Sequence, residues 1–270
     1  MAGRHRSPGR GGSLEFAEHR PFAAGDDLRR VDWKVYGRTD RWYVRESEEE
    51  TNLRATLVMD ASGSMGFSAG GRLSKWEYAR IVAAALGHLL LAQQDAVGLA
   101  TFSSGLTTFL PPRGGRSQRA RLMEALSAAG PVGGTAPEGP FHELAERLPR
   151  RGVLILLSDL LGPPDRFLPG LRYFRHRKHE VVVLHVLDPA ERTLGGLEEI
   201  GAFADAETGR VLRVGAAELA VGYGEALGRL EAAYRAQAHD RGFDFVALST
   251  DEPVGIALRR YLGERRRRGR

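Results

Sequence analysis

Two stretches of this sequence, "GVLILLSD" (152–159) and "EVVVLHVLD" (180–188), are apolar at consecutive positions. Successive side chains of a strand point to opposite faces, so strands like these are stable only with both faces covered. "RATLVMD" (54–60), "AVGLATF" (96–102) and "FDFVALS" (243–249) also read as strands. Longer amphipathic runs separate them. In "LSKWEYARIVAAALGHLLLAQQ" (73–94), Trp76, Ala79, Val82, Ala83, Leu86, Leu89 and Leu90 recur three and four apart, the spacing of one helix face. "SQRARLMEALSAA" (117–129, with Ser117 as its cap), "FHELAERL" (141–148), "PDRFLPGLRYFRHR" (164–177, interrupted near Pro169), 217–242 and 253–266 read as further helices. The alternation predicts an α/β fold: a three-layer, doubly wound, mostly parallel sheet with helices on both sides. "LTTFLPP" (106–112) follows "AVGLATF" after only "SSG" and predicts an antiparallel hairpin. "GAFADAETGRVLRVG" (201–215) predicts another, turning at Glu207–Gly209 within an insertion at 189–215.

Residues 1–54 have a different texture. "GDDLRRVDWKVYGRTDRWYVRESEEE" (25–50) is dense in charge and aromatic rings and has no clean period, and glycine is frequent before residue 13. Residues 1–12 are expected to be disordered. The rest of this extension forms either an antiparallel addition to the sheet or a separate interaction element, with Trp33 and Trp42 burying beside the sheet. The expected division is 1–54, then 55–258 as the main domain, then 259–270 as a helix end and tail. The tail, "RRYLGERRRRGR", carries seven arginines and one glutamate, or +6; against a net charge of +5, the other residues sum to −1. Such a tail can bind nucleic acid or acidic lipid, or simply be solvated.

The chain has no cysteine. Disulfides and thiolate metal sites are therefore excluded, and any metal would need oxygen or histidine ligands. No stretch approaches the ~20 apolar residues of a membrane span. "MAGRHRSPGRGGSLEF" has no apolar core of signal-peptide length, so a cytoplasmic protein is expected.

Ligands of a doubly wound sheet bind beyond the carboxyl ends of its strands. Asp60 ends the first strand, in "LVMDASGSMG" (57–66), and Asp159 ends another. Between them in the chain, "VGGTAPEG" (132–139) offers Thr135. Two carboxylates and the hydroxyls of Ser62, Ser64 and Thr135 are hard oxygen donors suited to Mg²⁺, Mn²⁺ or Ca²⁺. Taken singly, Asp60 or Ser62 could cap a helix and Asp159 could shape a turn. Other chemistries fit less well. A P-loop needs Gly-Lys-Ser/Thr, absent from "GSMGFSAGGRLS"; "ASGSMG" lacks the G-x-S-x-G of a serine nucleophile; and the eight histidines show no metal-binding spacing. A phosphohydrolase of the haloacid dehalogenase type would need an acid where Ser62 stands.

"DASGSM" with "GGT" and "SD" resembles the metal-ion-dependent adhesion site of von Willebrand factor A domains. That resemblance implies a von Willebrand A-like, Rossmann-like fold and one divalent cation, Mg²⁺ first, held by Asp60, Ser62, Ser64, Thr135 and Asp159. The N-terminal segment, the "DAETGR" hairpin and the ending "STDEPVGIALRRYL" resemble the bacterial family called domain of unknown function 58. Many members carry two N-terminal membrane helices, and many occur beside MoxR-type AAA+ ATPases. The resemblance thus implies a metal-dependent protein-binding module, an adaptor or co-chaperone for such an ATPase and no enzyme. The partner, the ATPase or its client, would contribute a Glu or Asp to the metal. The alternatives are a metal-dependent phosphohydrolase and nucleic-acid binding through the arginine tail.

Overall fold

The computed structural model describes residues 15–23, 31–48, 53–193, 200–204 and 211–268; the segment 1–12 and the turn Glu207–Gly209 lie outside them. The chain divides into two compact units, Met1–Asn52 and Leu53–Arg270.

In the first unit, β1 (Glu15–Pro21) pairs antiparallel with β2 (Tyr43–Glu48), and α1 (Trp33–Thr39) lies between them in the chain. These strands form their own sheet and do not extend the central one. Asp32 starts α1 because its carboxylate accepts the N–H groups of Lys34 and Val35, at 3.0 and 3.3 Å. Trp33 and Trp42 are not buried: they remain 58% and 42% exposed. Their rings pack on each other (5.8 Å) and on Tyr36, a cluster on a unit too small to enclose it. Trp33→Ala is therefore expected to cost about 1 kcal/mol, the worth of an exposed ring pair, and not the 3–5 of a buried tryptophan. Urea denaturation checks this.

The second unit runs β3 (Arg54–Asp60), α2 (Lys75–Ala92), β4 (Ala96–Phe102), β5 (Leu106–Arg113), α3 (Arg116–Ala128), α4 (Glu138–Arg147) and β6 (Gly152–Ser158). It continues with α5 (Pro164–His176), β7 (His179–Leu187), α6 (Pro189–Thr193), β8 (Ile200–Ala204), β9 (Val211–Gly215), α7 (Ala216–Asp240), β10 (Asp244–Ser249) and α8 (Val254–Arg268). Six strands form one sheet in the order β10-β7-β6-β3-β4-β5. All pairs are parallel except β4–β5, the hairpin read from "SSG". β8 and β9 pair antiparallel as the second hairpin.

Period-two alternation sorts the strand side chains between two cores. Leu57, Met59, Ile155, Leu157, Val182 and Leu184 face a layer built from α2, α3 and α8. Val58, Leu154, Leu156, Val181 and Val183 face the opposite layer, which draws on α4, α5 and α7. Each such side chain contributes about 1.5–3 kcal/mol by burial, so both helical layers are needed to keep the strands from water. Among the described residues no helix is long and apolar enough to cross a membrane.

Local details differ from the sequence reading at two helices. Ser117 lies inside α3, which follows Gly115 (φ 91) and has no side-chain cap bond. Pro169 does not interrupt α5: the proline removes one backbone donor, and burial of Leu168, Leu171 and Phe174 around it holds the helix together. α2 opens with a capping box, in which Ser74 Oγ accepts Glu77 N–H and the Glu77 carboxylate accepts Ser74 N–H.

Candidate functional site

β3 and β6 are neighbours at the middle of the sheet, and the chain leaves them for opposite edges: β3 leads to β4, β6 to β7. That reversal opens a crevice at the carboxyl ends of the two strands. Asp60 is the last residue of β3, and Asp159 follows the last residue of β6.

The segment after β3 is folded by Asp60 itself, whose Oδ1 accepts Ser62 N–H at 3.0 Å. The backbone then ties three loops together. Ala61 N–H donates to Phe102 C=O (2.7 Å), Val132 N–H to Ala61 C=O (2.7 Å), and Gly63 N–H to Gly133 C=O (2.8 Å). Gly133 holds φ +68, the left-handed region that favours glycine. Ser62 opens a short 3-10 turn, Gly63–Gly66, without a side-chain cap bond, and Ser74 caps α2. The helix-cap role therefore does not account for Asp60 or Ser62. Ser62 Oγ lies 3.1 Å from Ser64 Oγ. Thr135 belongs to the loop joined to this turn; its carbonyl accepts from Arg166, and the next N–H, of Ala136, donates to Ser103 C=O.

All five predicted residues are buried: Asp60 and Ser62 are 0% exposed, Asp159 1%, Thr135 5% and Ser64 8%. Burial, and then the neighbouring charge of Asp159, push the Asp60 carboxyl up from 3.8 to about 7, against the hydrogen bonds from Ser158 and Ser62. Ser158 Oγ donates to Asp60 Oδ2 at 2.6 Å and accepts Leu160 N–H at 3.0 Å. Leu160 holds φ +49, which costs a non-glycine residue about 1–2 kcal/mol. The strained residue directly follows Asp159, whose carbonyl is bound by buried His185 (2.8 Å).

Residues outside the predicted set complete the site. Lys75, fully buried at the first position of α2, places its ammonium 2.7 Å from Asp159 Oδ2 and 2.5 Å from Glu191 Oε1. Glu191 also accepts the N–H of Asp188 (3.0 Å). Asp188 in turn accepts from Arg72 (3.2 Å), Thr250 Oγ1 (3.0 Å) and Ala190 N–H (2.8 Å). One signal for Lys75 was present: it is one of three lysines among 39 basic residues, and it stands four before Ala79 on the apolar stripe of α2. Nothing comparable singled out Glu191.

Carboxylate and hydroxyl oxygens are the donor type that a hard divalent cation takes. Among the described residues no group of three or more His, Cys, Asp or Glu is arranged to hold a metal ion; the set here is two carboxylates and three hydroxyls. Adjacent oxygens around Mg²⁺, with bonds of ~2.1 Å, lie about 3.0 Å apart. The Ser62 and Ser64 hydroxyls, hydrogen-bonded to each other at 3.1 Å, lie close to that separation. Asp60, Asp159, Asp188 and Glu191 gather here with the cations Lys75 and Arg72, and Arg166 reaches the Thr135 carbonyl beside them.

The family profile described as "Protein of unknown function DUF58" matches residues 18–229. The Mycobacterium tuberculosis protein Rv1480 and the Mycobacterium bovis protein Mb1516, both described as uncharacterized, are 30% identical over 268 residues, covering 95% of this chain and 81% of theirs. BatB from Bacteroides thetaiotaomicron aligns with a TM-score of 0.46 at 16% identity, over 76% of this chain and 93% of that one. The VWA domain of SpRpn10 aligns at 0.41 and 11%, over 76% and 94%.

Proposed function

The chain belongs to the family described as protein of unknown function DUF58, and from that premise we propose that it is a metal-dependent protein-interaction module, a cytoplasmic adaptor or co-chaperone for a MoxR-type AAA+ ATPase. The observation that carries this reading is the convergence of Asp60, Ser62 and Ser64 with the Thr135 and Asp159 loops at the sheet's switch point. Those five side chains would hold the cation, with Mg²⁺ favoured over Mn²⁺ or Ca²⁺. Once bound, the cation supplies a hard, positively charged centre that a partner's Glu or Asp oxygen can join. Ser64 and Thr135 are the least completely buried of the five. The ATPase is what the family resemblance implies as partner, and the acidic residue is what the chemistry of a hard cation asks of it.

The test is calorimetry with and without Mg²⁺ or Mn²⁺. A ligand of the native state stabilises by RT ln(1 + [L]/Kd), about 2.7 kcal/mol at a hundredfold excess over Kd. The melting temperature is expected to rise accordingly, and Asp60→Ala to remove most of the response. Capture of the purified ATPase is expected in Mg²⁺ and not in EDTA or with Asp60→Ala. Equal metal responses in wild type and variant would rule the site out.

A further inference from the structure

A buried ion network is a poor way to stabilise a core: an apolar side chain of similar volume often does as well or better. Yet Lys75 places a fully buried ammonium where the same stripe of α2 continues with Ala79, Val82 and Leu86. Its position is set from several sides. The capping box at Ser74 fixes the start of the helix, and the Phe67 ring lies 5.7 Å from the ammonium. Asp159 and Glu191 take two of its three N–H donors. Glu191 is anchored independently, through Asp188 N–H and the bonds that hold Asp188. An ammonium that releases Asp159 thus keeps a fixed carboxylate partner.

We infer that Lys75 is a built-in competitor for the divalent cation: its ammonium holds Asp159 when the cation is absent and sets how tightly the cation binds. This rests on the metal-binding reading above. Glu191 is then the ammonium's parking place, and α6, which carries Glu191, is tied to the state of the site. A lysine suits this role better than an arginine, because a compact ammonium can move between two single oxygens, whereas a planar guanidinium favours a bidentate grip.

The experiment is titration calorimetry of Mg²⁺ into the full chain for wild type, Lys75→Met and Glu191→Gln, with melting temperatures in EDTA. Even at the dielectric of water, a +1 charge on the order of 6 Å from a +2 charge would weaken binding by about tenfold, and a shorter separation by more, so its removal tightens binding. Lys75→Met is expected to bind Mg²⁺ at least that much tighter while melting lower in EDTA, since Asp159 and Glu191 lose their cation. Glu191→Gln is expected to bind Mg²⁺ several-fold weaker, because it removes a negative charge and leaves the ammonium to Asp159 alone. Should Lys75→Met fail to fold, Glu191→Gln decides. Wild-type binding with Lys75→Met equal or weaker, or Glu191→Gln equal or tighter, overturns the inference and leaves the metal site standing. Absence of any wild-type response to Mg²⁺ or Mn²⁺ removes the metal-binding reading, and this inference with it.

Discussion

In EDTA, Asp60 is expected to withdraw its contribution to stability as pH rises from about 4 to about 7, because that interval ionises it in a place that disfavours its charge. Burial and the charge of Asp159 raise its carboxyl from 3.8 to about 7 in the folded chain. A raised folded value means that the native state binds the proton more tightly than the unfolded state does. Its contribution is complete below the unfolded value and is lost as pH climbs through the folded one. At about 1.4 kcal/mol per pH unit, the contribution is on the order of a few kcal/mol. Asp60→Asn keeps the shape and an acceptor oxygen but no charge, so it should flatten this slope and match or exceed wild-type stability at pH 8. On the metal-binding proposal it should also lose the stabilisation by Mg²⁺ expected of the wild type. His185 and His179 act with the opposite sign: burial lowers both, so each withdraws stability as pH falls below its ordinary value of 6.5. Comparing wild type with Asp60→Asn isolates the carboxylate from the two histidines. Denaturant titrations at pH 5 and 8 are the measurement, and an unchanged slope in the variant would remove Asp60 as its cause.

Replacing Phe141 by alanine is expected to cost about 3–5 kcal/mol, the loss for a large buried ring. Phe141 is 1% exposed and packs edge-to-face on Phe102 (5.0 Å) and Phe174 (6.1 Å). It also lies against Gly170 of α5, where an added Cβ would fall 2.6 Å from Phe141 Cδ2 and 3.1 Å from its Cβ. Gly170→Ala would gain about 1 kcal/mol of helix propensity, but the clash with a ring held on three sides costs about 1–3, so the net change is destabilising. The double variant should be more stable than the sum of the two losses, by about 1 kcal/mol or more, because the alanine methyl enters the space the ring vacates. Strict additivity in urea would show that α4 and α5 do not meet through this pair. Phe141 sits in the first turn of α4, just after the Thr135 loop, so on the metal-binding proposal the single variant should also weaken the response to Mg²⁺.

The two-sided strands and the three-residue "SSG" connection were legible as a parallel sheet with one antiparallel edge, since both signals are local: period two, and loop length. Helix boundaries at α3 and α5 were less so. A serine near a helix start and a proline inside one are weak local preferences, and packing against the sheet outweighs them. Trp33 and Trp42 misled for a related reason. A large ring signals burial only where enough chain surrounds it, and neither ring is enclosed.

At the site, the sequence by itself determined which hard donors stand at strand ends: Asp60 and Asp159 follow apolar runs, with Ser62 and Ser64 on the turn after the first. Only the tertiary structure decided what surrounds them. Lys75, Asp159 and Glu191 are far apart in the chain, with sequence separations of 84 and 116, and no local period relates them. Strand order brings β3, β6 and β7 side by side, and the carboxyl ends of these parallel strands then deliver Asp60, Asp159 and the Asp188–Glu191 segment to one edge. An ion network needs charges within a few ångströms in a dry place, and chain topology and burial, not sequence proximity, create that condition.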